Sequence, residues 1–120
     1  MKHIESKIQQ QAVYWYRLQF PHLATLLFAV PNGGRRNLRE AAIMKGEGVT
    51  AGVADLLLLV PNGEYHGLAI EMKTDVGRQN SNQKQWQKKV ESQGYKYIVC
   101  RSFDEFRSEV CRYLKFKESV

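Results

Sequence analysis

The chain is poor in the residues that build covalent or metal frameworks. Of its 120 residues only two are cysteine, Cys100 and Cys111, and they stand apart from each other. That excludes a disulfide scaffold and a cysteine-based zinc cluster, and it reads as two reduced, mostly buried thiols. The three histidines, His3, His22 and His66, show no metal-ligand spacing and read as surface or core filler. No apolar run is long enough to cross a bilayer. The opening residues, Met1-Lys2-His3-Ile4-Glu5, turn polar at once, so no secretory signal is visible and a cytoplasmic protein without membrane contact is expected. No repeat, linker or low-complexity segment interrupts the chain, so residues 1–120 are expected to form a single domain.

Acidic residues are also in short supply. Lys and Arg number 18 against 12 Asp and Glu, a formal charge of +6. That balance fits a polyanionic partner, although a merely soluble basic protein would show the same balance. Hydrophobic content of 43% and charged content of 25% are ordinary for a globular domain with a real core.

Periodicity predicts the elements. Ile4, Ile8, Gln11-Ala12, Trp15 and Leu18 recur at helical spacing, predicting a helix over 3–19 that ends at Phe20-Pro21. A short strand is predicted over 24–30 and a helix over 37–45. Strands are predicted over 54–60 and 67–73, bounded by Gly, Pro and Asn. A helix over 82–93 is capped by Asn80, Ser81 or Asn82 and stopped by Gly94. A strand over 95–100 and a helix over 103–116, with Ser102 and Glu105 as a capping box, complete the chain. The order α-β-α-β-β-α-β-α predicts an α/β fold, one mixed sheet with helices on its faces.

The chain is organised around the two middle strands. Asp55 stands at the entrance of one apolar run, and Glu71-Met72-Lys73 closes the other. A carboxylate beside such a run is costly unless something pairs with it. Glu71 and Lys73, two apart on one strand, point to the same face, and Met72 points into the core. Register decides whether Asp55 joins them. A two-residue Asn62-Gly63 turn would set Asp55 against Ile70, with Glu71 on the other face. For the acids to meet, the loop must hold an odd number of residues or the ladder a bulge; one or the other is predicted, and Glu64 to Gly67 leave room for it.

Two carboxylates, a backbone carbonyl and a lysine are what a Mg²⁺- or Mn²⁺-dependent phosphodiesterase requires. The competing reading is a strand-entrance aspartate and a weak surface ion pair on an edge strand. Other features stay open on spacing alone. Glu5 reads first as a solvated glutamate in the first turn of its helix. Pro31-Asn32-Gly33-Gly34-Arg35-Arg36 suits phosphate contacts or a solvated loop about equally. The glycine-rich stretch 46–52 serves a site or simply connects.

Asp55 followed by Glu71-Met72-Lys73 resembles the PD-(D/E)XK nuclease motif, with Ala54 where the family name has proline. More specifically, the ordered set resembles the VRR-NUC domain, the virus-type replication-repair nuclease module. That set is Glu5, Pro31 to Arg36, Gly52-Val53-Ala54-Asp55-Leu56, Glu71-Met72-Lys73, Gln83-Lys84-Gln85-Trp86 and Gly94-Tyr95. The resemblance covers nearly the whole chain.

The resemblance implies a restriction-endonuclease-like core and a set of roles. Asp55 and Glu71 would be metal ligands with the Met72 carbonyl as a third, and Lys73 the catalytic lysine. Glu5 would be an accessory acid reaching the metal directly or through water, and Gln83 would help position water or phosphate. Trp86 stays core. Stand-alone modules of this family are similar to Holliday-junction resolvases and act as homodimers, which suits the two symmetric cuts of a junction. The expectation is therefore a homodimeric, structure-selective DNA endonuclease of replication or repair. Arg35, Arg36, Lys45 and Arg78 are candidate DNA contacts. The alternatives are a nuclease-like module that binds DNA or recruits a partner without cutting, and an RNA-directed nuclease of the same fold.

Overall fold

The computed structural model describes residues 2–31 and 37–117. The candidate turn at 32–34 and the paired Arg35 and Arg36 lie outside the described residues. Four strands form one mixed sheet in the order β1-β2-β3-β4: β1 (Leu27–Ala29), β2 (Leu56–Leu58), β3 (Leu68–Met72) and β4 (Lys96–Cys100). β1 pairs antiparallel with β2, β2 antiparallel with β3, and β3 parallel with β4. The parallel pair is joined through a helix, α3 (Ser81–Ser92), as a parallel connection requires. The remaining helices are α1 (Lys2–Gln19), α2 (Leu38–Gly46) and α4 (Phe103–Leu114).

Alternation along the strands splits the apolar residues into two layers. On one face Leu56, Leu58, Leu68, Ile70, Met72, Ile98 and Cys100 meet Ala12 and Tyr16 of α1 and Phe106, Val110 and Tyr113 of α4. On the other face Ala69 and Tyr97, with Ala54 beside them, pack against Leu57, Val99 and α3's Trp86 and Val90. Trp86 is therefore core, as its helical spacing predicts. Among the described residues, no helix is long and apolar enough to cross a membrane.

Two expectations shift, and the odd connection between the middle strands is as expected. The apolar face of α1 is centred on Ala12 and Tyr16, while Ile4 and Leu18, counted as part of it, are exposed. The strand expected over 24–30 keeps only three residues, because Pro21–Leu26 winds as a 3-10 helix. The hydroxyl of Tyr16 donates to the Leu23 carbonyl at 2.8 Å and holds that turn down. Asn62-Gly63 is not a two-residue hairpin turn. Leu58 pairs with Leu68, which leaves residues 59–67 as a nine-residue connection, an odd number. Asn62 organises it: its side-chain oxygen accepts from the amides of Glu64 and Tyr65, and its amide nitrogen donates to the Tyr113 carbonyl of α4.

One glycine sets how the chain enters β2. Gly52 has φ +86°, and a Cβ there would lie 2.4 Å from the Asn82 carbonyl oxygen in the first turn of α3. The loop before Asp55 thus sits directly on the start of α3, closer than any side chain permits. Gly52→Ala is expected to lower the free energy of unfolding by at least ~2 kcal/mol through left-handed strain and the clash. Urea denaturation measures this; an unchanged midpoint would show that the loop is not seated there.

Candidate active site

The pairing of Leu56 with Ile70 continues outward to set Asp55 opposite Glu71. Asp55 is tied to both neighbouring strands: its carbonyl accepts the Val30 amide beyond β1 at 2.8 Å, and its side chain accepts the Met72 amide of β3 at 2.7 Å. Directly opposed residues of an antiparallel pair project to the same face. The odd connection therefore delivers the register that the two acids need, without a bulge between them. Glu71 in turn pairs with Val99 of β4, which makes β3 an interior strand. The surface-pair alternative for Glu71 and Lys73 fails on that point: Glu71 is 1% exposed.

A carboxylate so deeply buried requires partners. Oε1 of Glu71 accepts from the Tyr97 hydroxyl and from Gln79 Nε2, the latter at 3.0 Å. The second Nε2 proton of Gln79 is directed at Gln87 Oε1 of α3, at 2.9 Å, and Gln87 donates to Glu91 at 3.2 Å. Oε2 of Glu71 is buried and makes no hydrogen bond; Lys73 Nζ approaches it to 3.4 Å as an ion pair. One oxygen is thus fixed by neutral donors, and the other lies beside Lys73 without a hydrogen bond.

Asp55 is held differently. Its Oδ2 accepts the Met72 amide at 2.7 Å. Its pKa is nonetheless raised, chiefly by burial, and further by the charges of Glu71 and Glu5. The Met72 hydrogen bond and Lys73 pull the other way without cancelling the rise. Glu5 is therefore near enough for its charge to act on Asp55. Among the described residues, no three acidic, histidine or cysteine side chains form a cluster that could hold an ion alone. A cation here would need the two acids together with backbone oxygen, for which the Met72 carbonyl, next in the chain after Glu71, is the candidate. The donor set fits a hard divalent ion: two carboxylates repel each other across the sheet, and one buried oxygen lacks a hydrogen bond.

The other expected residues divide. Gln83 closes a capping box with Asn80, its Oε1 accepting the Asn80 amide at 2.9 Å. Lys45 and Arg78 are exposed, on α2 and on the loop before α3. Two residues at the site carry no signal in the sequence. Tyr97 shares the Glu71 face because it lies two positions before Val99, but only the β3–β4 register reveals that. Its hydroxyl pKa is pushed up by burial and by the Glu71 carboxylate, so it remains a donor. Gln79 lies in a polar loop with no periodicity, and nothing in its neighbours points to it.

The model of the VRR-NUC domain family matches residues 2–104. A solved structure described as a VRR_NUC domain protein superposes with a TM-score of 0.81 at 28% sequence identity. The match covers 95% of this chain and 90% of that one. No curated protein matches the chain.

The raised pKa of Asp55 has a consequence for stability. A carboxyl raised in the folded state stabilises the fold while protonated, and that contribution is lost as pH rises through the folded pKa. At neutral pH the ionised Asp55 therefore works against folding. Asp55→Asn keeps an oxygen for the Met72 amide and is expected to raise Tm by a few degrees at pH 7. The gain should vanish below the ordinary aspartate range, about pH 4. Thermal melts of both proteins across pH, in EDTA, measure it; a gain that persists at pH 3 would contradict the assignment.

Proposed function

The chain belongs to the VRR-NUC domain family and is a nuclease domain; on that premise we propose that it is a Mg²⁺- or Mn²⁺-dependent DNA endonuclease, selective for branched structures and acting as a homodimer. The observation that carries the reading is the interior position of Glu71, flanked by Asp55 and Lys73 on one face. A buried carboxylate beside a half-buried one costs stability that a single lysine offsets only in part, which favours a use in chemistry over one in folding.

In this reading Asp55, Glu71 and the Met72 carbonyl would hold the ion, and Glu5 would reach it directly or through water. When bound, the ion acidifies water and offsets negative charge building on the phosphate. Tyr97 and Gln79 hold Oε1 of Glu71, which leaves Oε2, beside Lys73, without a hydrogen bond and available to an ion. The Met72 amide holds one oxygen of Asp55. Lys73 orients the attacking water or steadies the charge that develops in the displacement. Gln83, with its carbonyl oxygen engaged at the helix cap, offers its amide nitrogen to water or phosphate. Arg35, Arg36, Lys45 and Arg78 contact backbone phosphates, so binding weakens steeply with salt.

Cleavage of a four-way junction and of the matching linear duplex, each with Mg²⁺, Mn²⁺ or EDTA, tests this. The junction should be cut faster than the duplex, only with a divalent ion, and matched RNA should survive. Lys73→Ala should slow cleavage by at least ~10²-fold while DNA binding and folding persist. Cutting in EDTA, or a Lys73→Ala protein at the wild-type rate, would overturn the assignment.

Support for the homodimer comes from apolar surface that this chain leaves uncovered. α2 buries no residue of its own, although an isolated helix of its length is marginal in water. Leu38 and Ile43 of α2, Phe28 of β1 and Leu59 are all exposed. A hollow of about 220 Å³, lined by Leu57, Leu59, Trp86, Val90 and Tyr95 among others, opens between α3 and the β2–β3 strands. A second copy is the occupant that a two-fold substrate calls for. Light scattering should give twice the chain mass of 13.9 kDa, and Leu59→Glu should return it to one. A wild-type protein monomeric at micromolar concentration would exclude the dimer.

A further inference from the structure

The sheet face that carries the acid pair also carries a second hollow, of about 270 Å³, lined by Arg78, Gln79, Lys84, Val99 and Arg101. Three of these five side chains are cationic and none is acidic. Its position follows from the register. Val99 is the strand partner of Glu71 and shares its face. Gln79 lines the hollow and also donates to Glu71 Oε1. Neighbouring strands lie about 4.8 Å apart, so the hollow sits roughly one to two strand spacings from the acid pair. Consecutive phosphates of one polynucleotide strand are separated by a distance of that order.

The three cations are not equivalent. Arg101 is fixed: its Nη1 donates to the carbonyls of Thr74 at 2.7 Å and Gly77 at 2.6 Å. Its charge is thereby held in the wall of the hollow, and the turn that follows Lys73 is tied down. Arg78 and Lys84 are exposed on the loop before α3 and in its first turn, and they form the rim. Three like charges around one concavity repel each other, and an anion reverses the sign of that energy. Arg and Lys together offer the forked and point-charge donors that phosphate accepts.

We propose that this hollow is a phosphate subsite, which takes the backbone phosphate next to the one being cut and so sets where along the strand the acid pair acts. The subsite rests on the nuclease reading for its purpose, but not for its existence, and the two can be tested apart. Affinity for a fluorescent duplex is measured by anisotropy in EDTA over a salt series, for wild type and for Arg78→Ala/Lys84→Ala. Both side chains are exposed, and circular dichroism of the double variant checks the fold; Lys84→Gln alone serves as the milder second variant. The expected result is a Kd raised about 5- to 10-fold near 0.1 M salt and a log–log salt slope shallower by about one, as for the loss of one phosphate contact.

The second arm uses cleavage. Duplexes carry a single neutral methylphosphonate linkage at successive positions. Wild type should lose cutting when that linkage sits at one fixed offset from the cut bond. The double variant should be indifferent to the same offset. An unchanged slope with Kd within twofold of wild type, or an interference pattern identical in the two proteins, would overturn the subsite. A protein that binds as expected but never cuts would defeat the nuclease reading, while the salt slope alone would still decide the subsite.

Discussion

A carboxylate at the centre of a β-sheet is the constraint to which the rest of this molecule answers. Glu71 is the fourth residue of β3, which has a strand on either side, and almost none of its surface reaches solvent. An unpartnered charge in that place would cost several kcal/mol. The chain meets the cost from four directions: Tyr97 from the neighbouring strand, Gln79 from the following loop, Lys73 from the same strand, and Gln87 of α3 behind Gln79. These contacts are unequal in kind. The neutral donors satisfy one oxygen and fix the rotamer. The lysine balances charge but leaves the second oxygen without a hydrogen bond.

The second acid depends on the same strand. Asp55 accepts the amide of Met72, the residue after Glu71, so its side chain is placed by the strand that carries the other acid. This works only in one register. The nine-residue connection and the Gly52 loop control that register from opposite ends of β2. Asn62 and Tyr113 anchor the connection to α4, while Gly52 seats the entrance on α3. A strand of three residues has little pairing energy with which to choose its own alignment. Its alignment is imposed by the loops.

Much of this was legible in the sequence, and the reasons are specific. Asp55, Glu71 and Lys73 stood out because acids beside strongly apolar runs are rare without a purpose. The need for an odd connection followed from the two-residue period of a strand and nothing else. The strand ends were less legible. The apolar run 24–30 has no marker for the 3-10 turn, which is set by Pro21 at its start and by the reach of Tyr16 from α1. Asn62-Gly63 carries a strong turn signal that tertiary contacts override, because the Asn62 side chain serves α4 as well as its own turn. Tyr97 and Gln79 were invisible for a different reason. Their importance lies entirely in which strand β4 joins and where the loop after Lys73 returns, and neither is a local property.

α3 gathers these threads. Its first turn receives Gly52 and so sets the approach to Asp55; its middle turn, through Gln87, steadies the group that steadies Glu71. Its inward face, through Trp86 and Val90, covers the sheet under the site. A helix with all three attachments cannot shift without moving both acids. The two acids repel each other, and burial sharpens that repulsion, so the site is held in a shape that the carboxylates alone would not choose. Rigid support from α3 is what permits this. Were α3 loose, nothing would hold the two acids against their mutual repulsion, and they would move apart.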